Sequence, residues 1–183
     1  MLEEAIVRYA SPTLAGLKTG SLFSHTWESR EGMIKCIREL NHRLVKRGLK
    51  VVVLRFCENR GLVYIFRPSR LRYDLAQPAT RSFLENFCYP VQSPDRCLVT
   101  LKRRLREQDE FPHEIGVFLG YPVEDVRGFM EQKAENCHCV GFWKVYGNRE
   151  KAEMLFSDYR RCKRNYFEHW KKERSLEQLI VSG

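Results

Sequence analysis

Residues 111–130 read FPHEIGVFLGYPVEDVRGFM, and this stretch predicts two short helices joined by a glycine turn. Pro112 suits the first position of a helix, where its missing N–H would have had no partner, and Gly120 suits the left-handed turn that follows a helix end. Ile115, Leu119 and Val126 recur at the spacing of two helices that pack at a steep angle. The sequence therefore predicts a helix-turn-helix-like pair over residues 112–131.

The second predicted helix has the wrong surface for reading DNA. A DNA-reading helix presents hydrogen-bond donors to the major groove and is flanked by cations. The residues expected to face outward here include Glu124, Asp125 and Gly128, which would place carboxylates near phosphates and a helix-weakening glycine in mid-helix. A structural hairpin is therefore favoured, and DNA reading by this pair is the weaker hypothesis.

Downstream of the pair, residues 140–146 (VGFWKVY) predict a strand, and Asn148 can cap a following helix. Apolar residues then recur at helical spacing from Ala152 to Trp170. This pattern predicts a long C-terminal amphipathic helix whose apolar face lies in the core.

Upstream, residues 50–57 (KVVVLRFC) and 62–67 (LVYIFR) predict two strands around a hairpin turn at residues 58–61. A helix capped by Ser29 lies between this hairpin and a strand at residues 21–25, so the passage predicts a parallel crossover with an antiparallel neighbour. Consecutive apolar positions in the hairpin indicate that helices cover both sheet faces. We therefore predict an α+β fold with one mixed sheet of about four strands, at residues 21–25, 50–57, 62–67 and 140–146.

The length of 183 residues suits a single domain over residues 1–183. Seven cysteines is an odd number and lacks the spacing of a small secreted scaffold, so we expect reduced thiols. Glu3 and Glu4 argue against a secretory signal, and no apolar run approaches the ~20 residues that cross a bilayer. We expect a cytoplasmic protein without a transmembrane segment.

The formal net charge of +9 is distributed unevenly along the chain. Residues 160–174 contain seven Lys or Arg against two Glu. Such a patch attracts nucleic acid or acidic proteins through a field that salt weakens. A solvated face of the long helix is the simpler interpretation, so nucleic-acid binding through the basic C-terminal helix stands as an alternative hypothesis.

Three motifs together point to a family. PTLAGLKTGSLFS at residues 12–24, FPHEIGVFLGYPVEDVRGF at residues 111–129 and GFWKVYGN at residues 141–148 resemble a family of uncharacterised bacterial proteins of clostridial type, known only as a domain of unknown function. The resemblance covers nearly the whole chain. It implies no established activity, so no catalytic residue follows from it.

A cluster of thiols is one candidate site. Cys137 and Cys139 flank His138 ahead of the predicted strand, and Cys162 lies on the last helix. Thiolates and imidazoles suit zinc or iron, although one intervening residue departs from the usual zinc knuckle. Reduced structural thiols are the simpler interpretation. The alternative hypothesis is a thiol or metal protein, redox- or iron-related, that uses Cys137, Cys139 and Cys162.

A glycine turn is the second candidate site. Residues 16–21 (GLKTGS) offer backbone N–H groups, two hydroxyls and the Lys18 amine, which suit a bound phosphate, although the spacing is not that of a P-loop. Strand cations such as Arg67, placed at a strand end, would enlarge the site if they faced the same cleft. The predicted anion contacts are Lys18, Arg55, Lys144, His113 and Tyr146.

Catalysis finds little support. His113 and Glu114 are neighbours on a predicted helix and point about 100° apart, so they cannot easily act on one another. Glu114 is expected to stabilise the helix N-terminus. Cys36 and Cys57 have no evident base. The leading hypothesis is therefore a non-catalytic binding or accessory protein for a phosphate-bearing anion or an acidic partner.

Overall fold

The computed structural model describes residues 1–108, 110–173 and 175–181, so Arg174 of the basic run lies outside the described residues. The α+β class is confirmed, since helices are combined with strands whose described ladders are antiparallel. In chain order the elements are α1 Leu2–Leu14, β1 Gly20–Thr26, α2 Arg30–Leu44, β2 Lys50–Cys57, β3 Arg60–Phe66, α3 Pro68–Ala76, α4 Pro78–Glu85, α5 Pro94–Glu107, α6 Ile115–Phe118, α7 Val123–Glu131, β4 Cys139–Val140, β5 Lys144–Val145 and α8 Arg149–Glu173.

The chain divides into two compact units. Unit 1 comprises Met1–Arg70 and Arg161–Gly183, and unit 2 comprises Leu71–Arg160. The helices α3 and α8 each contribute residues to both units. A single domain over residues 1–183 therefore stays a prediction.

The sheet of unit 1 has three strands in the order β1-β3-β2, and both of its ladders are antiparallel. The prediction of a mixed sheet is therefore wrong in its pairing, although β1 and β2 do run in the same direction on either side of β3. A tight turn accounts for the β2–β3 ladder: Glu58 takes a φ of 55°, and the chain folds straight back along β2. At one end of the sheet, Phe66 pairs with both Gly20 and Lys50.

Helices of unit 1 bury one apolar cluster against this sheet. Ile6 and Leu14 of α1, Leu44 of α2 and Trp170 of α8 join strand residues such as Ile65 in that cluster. The helix α1 was not predicted, and it accommodates Pro12 in its last turn.

The strand predicted at residues 140–146 does not form as one element. Instead β4 and β5 make a separate two-stranded antiparallel ladder. Between them the backbone at Gly141 lies against the Phe156 ring, where a Cβ would come within 2.2 Å, and Trp143 packs edge-on against the same ring. The ladder therefore completes an aromatic core in unit 2 and does not extend the sheet of unit 1.

The helix-turn-helix-like pair forms as α6 and α7, with α6 only one turn long. Gly120 takes a φ of 80° between the helices, as the turn requires. Close packing is allowed because Gly116 has no side chain, since a Cβ there would lie 2.7 Å from Val126. Among the described residues, no helix is both long enough and apolar enough to cross a membrane.

Candidate functional site

Part of the predicted outer face of α7 is interior to unit 2. Asp125, expected to face solvent, is only 3% exposed. Its carboxylate accepts hydrogen bonds from Trp143 Nε1 at 2.7 Å, from the Tyr146 N–H at 2.8 Å and from the Gly147 N–H at 2.7 Å. Gly128 is also buried, against the Tyr146 ring. The expectation that Asp125 and Gly128 face outward is therefore wrong, because the chain after β5 folds over them.

A second buried carboxylate lies at the start of α6. Glu114 is 1% exposed and accepts hydrogen bonds from Arg104 Nε at 2.6 Å and from the Tyr89 hydroxyl at 2.9 Å. Burial, together with the Glu114 charge, raises the pKa of Tyr89 well above its usual range. Glu114 therefore holds a buried ion pair with α5, and its expected role at the helix N-terminus is not its main one. His113 points to the surface between the Phe111 and Phe129 rings.

Lys144 and Tyr146, two other predicted anion contacts, also lie in unit 2. The Lys144 amine donates a 2.7 Å hydrogen bond to the Ala134 carbonyl. The Tyr146 hydroxyl is buried and makes no hydrogen bond within the described part of the chain. Burial and the nearby thiol of Cys137 raise the pKa of this phenol.

The predicted thiol site is divided between the units. Cys137 and Cys139 are half-buried in unit 2, whereas Cys162 is buried in unit 1. Burial raises the pKa of Cys162 to about 11, which disfavours the thiolate that a metal requires. In the described ranges, no group of three or more His, Cys, Asp or Glu side chains is arranged to hold a metal ion.

Lys18 lies in the loop that follows α1 in unit 1. The loop is held by the Pro12 carbonyl, which accepts hydrogen bonds from the Leu17 and Lys18 N–H groups at 2.8 Å and 3.1 Å. Gly16 permits this turn with a φ of 73°. Lys18 is only 7% exposed. Burial, together with repulsion from Lys163, lowers the pKa of its amine to about 8.

Arg67 joins the same end of the sheet, as its predicted position at a strand end implied. Its backbone N–H bonds the Thr19 carbonyl at 2.9 Å. Its side chain, 3% exposed, donates from Nε to the Thr13 carbonyl at 2.8 Å and from Nη2 to the Leu14 and Val181 carbonyls at 2.5 Å and 2.7 Å. Burial and repulsion from Arg70 lower the pKa of Arg67.

Four cations thus gather at the C-terminal end of α1: Lys18, Arg67, Arg70 and Lys163, which we name the cationic cluster. Arg70 donates to the Gly16 carbonyl. A helix C-terminus carries unpaired carbonyls and a partial negative charge, which attract such groups. Sequence reasoning missed Arg70 and Lys163. Arg70 follows Arg67 by three residues, a spacing that could have suggested it, whereas only the packing of α8 places Lys163.

Arg55 does not belong to the cationic cluster. It pairs with Leu62, whereas Lys18 and Arg67 flank the pair of Gly20 and Phe66. Five residues of strand separate Arg55 from Lys50, the β2 partner of Phe66, which corresponds to roughly 16 Å at a rise of about 3.3 Å per residue. Arg55 is also exposed. Among the five predicted anion contacts, Lys18 is therefore the one that belongs to the cationic cluster.

Comparison with known proteins gives a family without an assigned activity. A family model described as "Protein of unknown function (DUF3793)" matches residues 6–180. No curated protein and no solved structure matches the chain.

Proposed function

The chain belongs to this family of unknown function, and from that premise we propose that it is a binding protein for a small phosphate-bearing anion held at the cationic cluster. The observation that carries the proposal is the electrostatic environment of Lys18. The effects that lower its pKa are burial and another cation, Lys163. An anion at this position would offset both.

The hydrogen bonds that hold the cluster do not neutralise its charge. Arg67 and Arg70 donate to backbone carbonyls, which are neutral acceptors. A carbonyl satisfies a donor but leaves the formal positive charge in place, and the half-charge of the α1 C-terminus compensates only part of it. The guanidiniums of Arg67 and Arg70 therefore keep formal positive charges that favour an anion.

Phosphate groups fit this environment better than a single carboxylate. They carry up to two negative charges and several acceptor oxygens, which can bind an amine and a guanidinium at the same time. A bound phosphate would also raise the pKa of Lys18, so binding and protonation are coupled.

The test is binding of inorganic phosphate and of pyrophosphate. Calorimetry measures the affinity, and thermal unfolding measures the added stability. At a ligand concentration about 100 times Kd, the added stability is roughly 2.7 kcal/mol. For a chain of this size that corresponds to a rise in Tm of about 5–10 °C. Chloride at equal ionic strength is the control for non-specific screening.

Variants assign the site. Lys18→Met keeps the length of the side chain and removes its charge, so we expect it to lose most of the affinity, and we expect Arg70→Gln to weaken it. Lys35→Met is the matched control, since Lys35 is an exposed cation of the same unit on α2. Equal affinity in Lys18→Met and in the unaltered chain would refute the assignment.

A further inference from the structure

A segment that follows α8 is attached directly to the cationic cluster. We name residues 176–181 the strap. Leu176 and Ile180 are buried in the core of unit 1, with exposures of 0% and 6%. The Val181 N–H bonds the Leu14 carbonyl at 3.2 Å, and the Val181 carbonyl accepts the 2.7 Å hydrogen bond from Arg67 Nη2. The strap thus occupies one donor of the guanidinium that lies in the cluster.

The donors of Arg67 show what the strap blocks. A guanidinium has five N–H groups, and bidentate binding of a phosphate needs two that lie side by side. Nε is used by Thr13, and Nη2 is used by Leu14 and Val181. Within the described residues, Nη1 donates no hydrogen bond. The edge of the guanidinium from Nη1 to Nη2 would therefore offer two adjacent donors to a phosphate if Val181 released Nη2.

We propose that the strap is an autoinhibitory element: the Val181 carbonyl competes with a phosphate oxygen for Arg67, and strap release completes a bidentate phosphate site. This inference rests on the proposed function and adds its regulation. A neutral carbonyl and a phosphate oxygen accept the same N–H, but only the phosphate also gains from the cluster charge. Replacement of the Val181 carbonyl by a phosphate oxygen therefore becomes favourable when the anion is present.

The surface end of the strap is held by an ion pair. Glu177 accepts a 2.7 Å hydrogen bond from Arg43, which is also paired with Glu3. Both side chains of the Arg43–Glu177 pair are partly exposed, so this attachment is weak and weakens further in salt. The buried side chains of Leu176 and Ile180 therefore supply most of what holds the strap closed, and local opening of the strap costs less free energy than global unfolding.

Competition of this kind lowers the apparent affinity by the fraction of molecules whose strap is open. Variants that loosen the strap should therefore bind phosphate more tightly. We expect a gain of about tenfold for Ile180→Ala and of about twofold for Glu177→Gln, because the first removes buried contacts and the second removes only a surface pair.

The matched control is Leu40→Ala. Leu40 lies in the same apolar cluster but on α2, so its truncation loosens the core without removing a side chain of the strap. Phosphate affinity is measured by calorimetry in the full chain for all variants. A second readout is hydrogen exchange at the Val181 amide, which should become faster when phosphate binds, since its bond to Leu14 is released with the strap.

The outcomes separate this inference from the proposed function. Tighter phosphate binding in Ile180→Ala but not in Leu40→Ala, with faster exchange at Val181, supports the strap. If phosphate binds all variants equally and leaves Val181 protected, the strap is refuted and the binding site stands. An equal gain in Leu40→Ala likewise refutes the strap, because general loosening would explain it. If no variant, including Ile180→Ala, binds phosphate, both proposals fail.

Discussion

Replacing Asp125 should destabilise unit 2 more than any surface substitution on α7. Asp125→Ala would leave three donors without their acceptor: the Trp143 indole N–H and the backbone N–H groups of Tyr146 and Gly147. An unsatisfied buried donor costs about 1–3 kcal/mol, and two of the three are only partly buried, so we expect a loss of ~3–6 kcal/mol in the free energy of unfolding. Asp125→Asn is the sharper variant.

The hydrogen-bond geometry predicts that Asp125→Asn disturbs the contact with the indole and keeps the contacts with the two backbone N–H groups. Oδ1 accepts both backbone N–H groups, and Oδ2 accepts only the indole. If the Asn oxygen takes the Oδ1 position, its NH₂ group faces the Trp143 N–H, and two donors oppose each other. We expect Asp125→Asn to cost ~2–3 kcal/mol. In a Trp143→Phe background the conflict is absent, so the same change should cost about 1–2 kcal/mol less.

Urea unfolding followed by far-UV circular dichroism measures these differences without relying on the replaced tryptophan. Glu124→Gln is the control, since Glu124 is the exposed neighbour on the same helix and its change should stay within about 0.5 kcal/mol. If Asp125→Asn is as stable as the unaltered chain, or if its cost is the same with and without Trp143, the hydrogen-bond argument is wrong.

Three further predictions follow from other buried groups. Glu114→Ala should lower the free energy of unfolding by about 2–4 kcal/mol, because it leaves Arg104 partly buried without its carboxylate; urea unfolding checks this, and a loss below 1 kcal/mol would contradict it. An exposed mid-helix Gly→Ala change usually stabilises a protein by up to about 1 kcal/mol. Gly128→Ala should instead destabilise the fold by about 1–3 kcal/mol, since its Cβ would lie 2.4 Å from the Tyr146 ring. Restored stability in the double variant with Tyr146→Ala tests the clash. Because the pKa of Lys18 falls from 10.5 to about 8 on folding, the unfolded chain takes up this proton first as the pH drops. Lys18 should therefore destabilise the fold by about 3 kcal/mol below pH 8, and the stability of the unaltered chain should rise relative to Lys18→Met between pH 8 and pH 10.5; a constant difference in phosphate-free buffer would refute this.

Elements that local chemistry specifies were predicted well. The turn at Gly120, the hairpin between β2 and β3 and the start of α2 at Ser29 depend on residues close in the chain. In the last case the Ser29 hydroxyl accepts the Gly32 N–H at 3.0 Å, as a helix cap should. Each of these features needs only a few neighbouring residues, so it can be inferred from local sequence.

Pairing and burial were predicted less well. Nothing within residues 140–146 shows that Gly141 must meet Phe156 or that the chain must fold over α7. The charge of Asp125 suggested a solvent-facing residue, and the donors that make its burial favourable come from residues some twenty positions away. The same holds for the candidate site, where Lys18 and the strand-end position of Arg67 were anticipated and the contribution of Lys163 was not.

The amino-acid sequence by itself determined the α+β class, the helical pair, the hairpin and the family, because these depend on local spacing and on motifs that can be read directly. Only the tertiary structure decided which charges are buried together. A carboxylate such as Asp125 or a cation such as Arg67 is stable inside the protein only when distant backbone groups bond it. Those groups meet only after the chain has packed, so no local sequence pattern predicts the contacts between them.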